Sequence, residues 1–340
     1  MSKLFNVAVL GATGLVGQTA IKILESRKFP VKQLFPLASE RSSGKTIQFA
    51  EQAISVENVD TFDFSQVEIA IFSAGAVISE KFAPIAAAAG CIVIDNTTAF
   101  RNDPDVPLVV PEVNAEAIAL YCNKNIIANP NCSTIQLVVA LKPIYDAVGI
   151  KRVEFSSYQS VSGAGKEGIA ELMQQTAEYL AEEVMSPEVF SAPIAFNLIP
   201  AIDDFLENGF TKEEMKVVNE THKIFADTKI EVNPTAVRVP VIFGHSEAIS
   251  IETKQPLTVK EARALFDKMS GITVLDEPEN LNFPTPMLQG AGTDDVYIGR
   301  IRQDLYHNNR LNFWVVADNV RKGAALNAVQ IAEKLITQIR

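Results

Sequence analysis

The sequence predicts an α/β protein with a doubly wound, dinucleotide-binding first domain and an α+β second domain built on a mostly antiparallel sheet. Three observations carry this reading. The first 130 residues alternate continuous apolar strand-like runs with helix-like segments, the texture of a parallel sheet covered on both faces. A glycine-rich turn joins the first strand to the first helix. From about Lys151 the strands lengthen and several alternate apolar with polar residues, the pattern of an antiparallel sheet.

Taken in order, Leu4 to Gly11 is a buried strand, Leu15 to Arg27 has helical spacing, and "QLFPLAS" and Val67 to Gly75 are further strands. An alanine-rich helix over Ser79 to Ala89 and the strand "CIVIDNT" follow. In the second half, "RVEFSSYQSVSG", "VRVPVIFGHSEAISIET" and "DDVYIGRIRQD" read as strands. Helices are expected near Glu167 to Glu183, Lys212 to Phe225 and Val259 to Ser270. The last stretch, "NFWVVADNVRKGAALNAVQIAEKLI", is a strand and then a helix whose small first-turn residues suit close packing. Periodicity does not say which domain that helix docks on.

The 340 residues are 47% apolar and 21% charged, an ordinary globular composition with length for two cores. No apolar run reaches the roughly 18 residues of a membrane span. The first residues run straight into a strand, without the apolar segment of a secretory signal. Cys91, Cys122 and Cys132 are too few and scattered for a disulfide framework or a zinc site, so no metal and a reducing cytoplasm are expected. A net charge of −11 argues against nucleic acid but leaves room for a small anionic ligand held by a local cationic cluster.

Strand "NVAVL" runs into Gly11-Ala12-Thr13-Gly14-Leu15-Val16-Gly17 and then a helix. Such glycines let the backbone turn tightly and approach a pyrophosphate resting on a helix N-terminus. The spacing is GxxGxxG rather than the commoner GxGxxG, yet its place in the first βα unit reads as a Rossmann-like site. The second strand ends in "PLASERSSGK". Ser39, Arg41 and Ser42 suit the 2′-phosphate of NADP, against the discordant Glu40 and the alternative of a solvated loop.

"NPNCST" places Cys132 at or just before the N-terminus of a buried helix. Helix N–H groups there favour a thiolate and can hold an oxyanion; a small buried cysteine is the competing reading. Of the three histidines, His222 lies on a polar helix and His307 in an exposed turn, while His245 stands at "FGHSE" between two strand-like runs. It is a candidate acid/base or a structural histidine. Gln159 precedes the turn Ser162-Gly163-Ala164-Gly165, shaped to approach a ligand. Arg238 sits in an apolar strand, where an unpartnered cation is costly and a carboxylate substrate is one candidate partner. Arg101, Glu213 and Lys216 are ambiguous singly.

Together, "GATGLVG", "ASERSSGK", "NPNCST", "QSVSGAG", "EEMK", "RVPVIFGHSE" and "DNVRKGAALNA" occur in the order of the bacterial aspartate-β-semialdehyde dehydrogenases, which the chain resembles from Val7 to its last helix. The resemblance implies an NADP-dependent enzyme interconverting L-aspartyl-4-phosphate and L-aspartate-4-semialdehyde, in the biosynthesis of lysine, methionine, threonine and isoleucine. It implies Cys132 as nucleophile, Gln159 positioning the reacting group and His245 as acid/base. Arg238 would bind the substrate carboxylate and Glu213, rather than its neighbour Glu214, the ammonium. Arg101, Asn131 and Lys216 would form the phosphate site. Cofactor contacts would fall on Gly11, Thr13, Gly14, Leu15, Val16, Ser39, Arg41, Ser42, Gly163 and Asn319. The resemblance also implies a homodimer joined through the second domain. It returns the final helix to the first, giving a cofactor domain of residues 1–130 plus about 319–340 and a catalytic domain of 131–318.

Three rivals stand beside this reading. An N-acetyl-γ-glutamyl-phosphate reductase would run the same chemistry on an acylated substrate that needs no acidic partner for an ammonium. A non-catalytic dinucleotide-binding paralogue would not need Cys132, Gln159, Arg238 and His245 together. A phosphorylating glyceraldehyde-phosphate dehydrogenase shares the Cys–His logic but not the surrounding motifs.

Overall fold

The computed structural model describes residues 3–339. They form two compact units: one runs to Asn131 and resumes at Ala324, and the other is Cys132–Gly323.

In the first unit, β1 (Phe5–Leu10) leads through the glycine turn into α1 (Leu15–Ser26), followed by β2 (Val31–Ala38). A hairpin of β3 (Thr46–Phe49) and β4 (Gln52–Ser55) comes next. Then follow β5 (Glu57–Asn58), β6 (Ile69–Phe72), α2 (Ala76–Ala88), β7 (Ile92–Asp95), α3 (Pro111–Asn114) and β8 (Ile126–Ala128). The six-stranded sheet has the order β5-β2-β1-β6-β7-β8, and every pairing is parallel. β6 and β7 are buried along their whole length because helices cover both faces. Strand order reverses between β1 and β6, the switch point where such sheets bind ligands beyond their carboxyl ends. The helix Leu326–Leu335 belongs to this unit and packs against α1 and β7. Its buried Ala328 and Ala332 let the helix axis come close. Each fully buried Ile, Leu or Val of the shared core, such as Ile21, Leu24, Val329 and Ile331, contributes roughly 1.5–3 kcal/mol.

The hairpin β3–β4 is not expected from the sequence. Its two turn residues, Ala50 and Glu51, have φ of 48° and 65°, the conformation that usually marks itself as Asn-Gly. Ala-Glu carries no such mark. The alanine-rich helix also begins three residues before the expected Ser79, at Ala76 behind Gly75.

In the second unit, α4 (Cys132–Val148) leads into β9 (Ile150–Gln159), a short turn over Val161–Ala164 and α5 (Gly165–Leu180). α6 (Lys212–Phe225), β10 (Glu231–Arg238), β11 (His245–Thr253) and α7 (Val259–Lys268) follow. β12 (Ile272–Val274), β13 (Val296–Gln303) and β14 (Arg310–Ala317) complete it. The sheet order is β10-β9-β11-β14-β13-β12. Its three central pairings are antiparallel and its two outer ones parallel, so the sheet is mixed. One face carries Val153, Phe155, Ile249, Ile251, Phe313 and Val315 against α4. α4 is buried continuously from Ser133 to Leu141, as befits a helix enclosed between that sheet face and α6 and α7.

The apolar run "VRVPVIFGHSEAISIET" is two strands, not one. Pro240 cannot donate to a ladder, and Gly244 turns the chain with φ of +89°. β10 therefore ends at Arg238 and β11 begins at His245. Both residues stand at strand ends, where a side chain is held firmly yet reaches a site.

Candidate active site

The second unit assembles a polar centre from five elements. Cys132 is the first residue of α4, where helix N–H groups lend positive potential to the sulfur. Its Sγ lies 3.2 Å from Nε2 of His245, the first residue of β11. Gly323 backs the thiol: a Cβ there would sit 2.9 Å from the Cys132 Cβ, closer than real contacts permit.

The surroundings of His245 fix its tautomer. The Ser160 N–H donates to Nδ1 at 3.1 Å, so Nδ1 is an acceptor and the ring proton sits on Nε2, facing the sulfur. Complete burial, and then the nearby Arg238 cation, hold the histidine well below its ordinary pKa. The imidazole is therefore neutral and presents an N–H to Cys132. Ser160 is itself held by Asn319, whose Oδ1 accepts from Ser160 Oγ at 3.0 Å, Ser162 Oγ at 3.2 Å and the Gly244 N–H at 3.0 Å. Asn319 thus fastens the start of β11 to the turn after β9.

Gln159 is the last residue of β9 and is buried. Its Nε2 donates to Glu213 Oε1 at 3.1 Å and to Ser157 Oγ at 3.2 Å. Glu213 also accepts from Lys216 Nζ at 3.1 Å, and Lys216 reaches Asp203 at 2.8 Å. Burial alone would lower the Lys216 pKa, but Glu213 and Asp203 outweigh it and hold it above its ordinary value. The adjacent Glu214 is committed elsewhere. It closes a capping box with Thr211 at the start of α6 and accepts from the Ala236 N–H at 2.9 Å. Of the two neighbouring glutamates, the one that faces Gln159 is Glu213.

Arg238 is 7% exposed. Nη1 donates to the Ser160 carbonyl at 2.8 Å, and the guanidinium lies 5.6 Å from the Phe190 ring centre, within cation–π range. Burial lowers its pKa, while Glu213 and Cys132 act to raise it. Arg238, Asp203, Ala164 and Phe190 line a cavity of about 530 Å³, room for a small metabolite. A Cβ on Gly163 would come 2.8 Å from Arg238 Nη1 and 3.4 Å from His245 Cε1, so this glycine keeps both side chains in place.

The first unit holds the remaining sequence-derived candidates. Arg101 is buried and donates from Nε to the Asn129 carbonyl at 2.9 Å and from Nη2 to the Asn96 carbonyl at 3.3 Å. Asn129 in turn accepts from Asn327 Nδ2 at 2.7 Å and donates to Asn96 Oδ1. Asn131 is likewise buried. Asn327 and Ser160 escaped the sequence reading, because a lone Asn or Ser carries no spacing that marks it as a holder of something else.

The glycine loop fits a dinucleotide. Gly11 has φ of +85°, and a Cβ on Gly17 would fall 2.2 Å from the Gly11 carbonyl oxygen. Only glycines allow α1 to start so close to β1. No side chain caps the α1 N-terminus, which leaves its N–H groups to an anion. Thr13, Gly14, Leu15 and Val16 make up that turn and the helix start, with Gly14 exposed. Ser39 and Arg41 are exposed just past the end of β2, and Ser42 is half-buried beside them. A guanidinium between hydroxyls is a donor set for a 2′-phosphate.

Residues 6–121 match the family model "Semialdehyde dehydrogenase, NAD binding domain", and residues 141–322 match "Semialdehyde dehydrogenase, dimerisation domain". An aspartate-semialdehyde dehydrogenase of Shewanella sp. (strain DB6705) is 59% identical over 336 residues, 99% of each chain. The chain belongs to the aspartate-semialdehyde dehydrogenase family. It is therefore an oxidoreductase of amino-acid biosynthesis. The crystal structure of the Vibrio cholerae aspartate semialdehyde dehydrogenase II complexed with ASA shares 57% identity and a TM-score of 0.98, covering 100% of both chains. The Candida albicans enzyme, solved with NADP, has a TM-score of 0.78 at 27% identity over 98% of each chain. Among the described residues, no helix is long and apolar enough to cross a membrane.

Proposed function

We propose that the chain interconverts L-aspartyl-4-phosphate and L-aspartate-4-semialdehyde with NADP, through a thioester on Cys132. The observation that carries the reading is the 3.2 Å approach of Cys132 Sγ to a neutral His245 Nε2–H, beside a cavity lined by Arg238. Family membership points the same way.

In the biosynthetic direction the Cys132 sulfur attacks the acyl carbon of the aspartyl phosphate, the carbon–oxygen bond to phosphate breaks, and a thioester remains. Gln159 orients the acyl group. Bound NADPH supplies the hydride that reduces the thioester. Hydride addition leaves a tetrahedral alkoxide, which collapses to the aldehyde and expels the Cys132 thiolate, with His245, the acid/base partner, directing its Nε2–H at the departing sulfur. A thioester accepts hydride more readily than an ester, which is why a cysteine rather than a serine serves at position 132. Arg238 holds the substrate carboxylate with the planar donor fork that such a group matches, and Glu213 holds the ammonium. Arg101, Asn131 and Lys216 bind the phosphate. Gly11, Thr13, Gly14, Leu15 and Val16 hold the pyrophosphate, and Ser39, Arg41 and Ser42 the 2′-phosphate. Gly163 and Asn319 complete the cofactor contacts, with the Asn319 amide oxygen already engaged in holding Ser160 and Gly244.

The chain works as a cytoplasmic homodimer joined through the second unit. The face of its sheet turned away from α4 bears half-buried Tyr158, Ala248 and Trp314, and two cavities of about 290 and 230 Å³ meet there at Ala248 and Arg302. Such a face suits a second copy better than open water. Assaying L-aspartate-4-semialdehyde beside N-acetyl-L-glutamate-5-semialdehyde, each with phosphate and NADP⁺, tests the substrate. Activity confined to the aspartyl compound supports the reading; preference for the acetylated compound removes Glu213 from its role.

A further inference from the structure

The Cys132–His245 pair is one rung of a two-rung ladder. On α4, Gln136 lies four residues after Cys132, one helical turn along the same face. On β11, Glu247 lies two residues after His245, and alternate strand residues share a face. Gln136 and Glu247 are both 0% exposed. The Gln136 carboxamide is the polar side chain that acts on the Glu247 carboxyl. None of their four polar side-chain atoms makes a well-formed hydrogen bond among the described residues, to each other or to any other group. The residues opposite Glu247 in the sheet are Ser157 of β9 and Val315 of β14; Ser157 Oγ is engaged with Gln159, and valine offers nothing polar. Burial drives the Glu247 carboxyl well above the usual carboxylate range, so it is a neutral acid with one O–H donor and a carbonyl acceptor. A carboxamide offers the complementary acceptor and donor. Two such groups in a dry core are costly to separate, and no step of the reaction uses either.

We propose that Gln136 and Glu247 are positioning residues whose pairing sets the register of α4 on β11, and with it the distance from the Cys132 sulfur to the His245 ring. The inference rests on the reading of that pair as the reacting dyad. Misplacing reacting groups by as little as 1 Å costs up to about a hundredfold in rate without weakening ground-state binding.

The test uses the full-length enzyme with Glu247→Leu, Gln136→Met and Glu247→Gln, each checked for cooperative unfolding. kcat, the three KM values and the rate of Cys132 alkylation by iodoacetamide are measured. Glu247→Leu and Gln136→Met are expected to lower kcat at least about tenfold, to leave each KM within about twofold, and to change the alkylation rate. Glu247→Gln keeps a donor and an acceptor and is expected to stay within about twofold of wild type throughout. Should Glu247→Leu fail to fold, Gln136→Met carries the same expectation, since it keeps the side-chain length and removes only the polar atoms. Wild-type kcat and alkylation in a folded Glu247→Leu or Gln136→Met protein overturns the inference, and so does a Glu247→Gln protein as impaired as the apolar variants. Cys132→Ser and His245→Asn are run in parallel. If those two retain activity, the dyad reading itself fails; if they lose it while the second-rung variants do not, only the positioning inference fails.

Discussion

The glycine loop of the first unit and the thiol centre of the second solve the problem of holding a reactant in opposite ways. At the loop the recognition surface is backbone. Gly17 packs on the Gly11 carbonyl, the α1 N-terminus is left without a side-chain cap, and the polar side chains nearby, Ser39 and Arg41, are exposed. At the thiol centre the surface is side chain. Cys132, His245, Gln159, Glu213 and Arg238 are tied to partners before any substrate arrives. A backbone site tolerates change at any position except where a Cβ would intrude. A wired side-chain site has few neutral positions, because each change leaves a buried partner unsatisfied.

That contrast can be broken or sharpened experimentally. The largest effect beyond the nucleophile itself is expected at His245: His245→Asn removes the Nε2–H and lowers kcat by about 10²–10⁴-fold with a folded protein, measured by steady-state kinetics. A smaller loss follows at the glycines that back the centre. Gly163→Ala and Gly323→Ala press a methyl to 2.8 Å from Arg238 Nη1 and 2.9 Å from the Cys132 Cβ, and each should cost about tenfold or more in kcat/KM. Either one behaving like wild type would show the centre to be less rigid than its hydrogen bonds indicate. On the cofactor side, Arg41→Ala should raise the KM for NADP⁺ by about 10–100-fold with kcat and the KM for NAD⁺ little changed. An equal effect on both cofactors would remove the 2′-phosphate from Arg41.

The smallest effect is one of stability. Glu247 holds its proton in the folded state well above the pH at which an unfolded glutamate releases it. The folded state thus binds more protons than the unfolded one above the ordinary glutamate range, and stability falls as pH rises, by at most about 1.4 kcal/mol per pH unit. Glu247→Gln has no proton to lose. Its melting temperature, compared with wild type at pH 5 and pH 8, should gain more at pH 8; a constant difference would mean that Glu247 is not held neutral.

Much of this architecture is legible in the chain itself, for identifiable reasons. Apolar runs flanked by glycine announce the parallel sheet, and "NPNCST" before an apolar helix announces a thiol at a helix start. What stays hidden depends on contacts between distant residues. Glu247 reads as an ordinary position in "HSEAISIE", and Gln136 as a polar gap in an apolar helix, until the fold lays one on the other. The parallel pairing of β10 with β9 is invisible for the same reason. So is the division of labour between Glu213 and Glu214, which depends on the capping box that claims the second of them.

The central claim is that Cys132 carries the acyl group, and one assay reaches it directly: phosphate-dependent reduction of NADP⁺ with L-aspartate-4-semialdehyde, wild type against Cys132→Ser. The account predicts robust turnover in the wild type and a loss of at least about a thousandfold in a serine variant that unfolds at the wild-type temperature. Undiminished turnover in the serine variant, or a wild type silent with both NADP⁺ and NAD⁺, would contradict it.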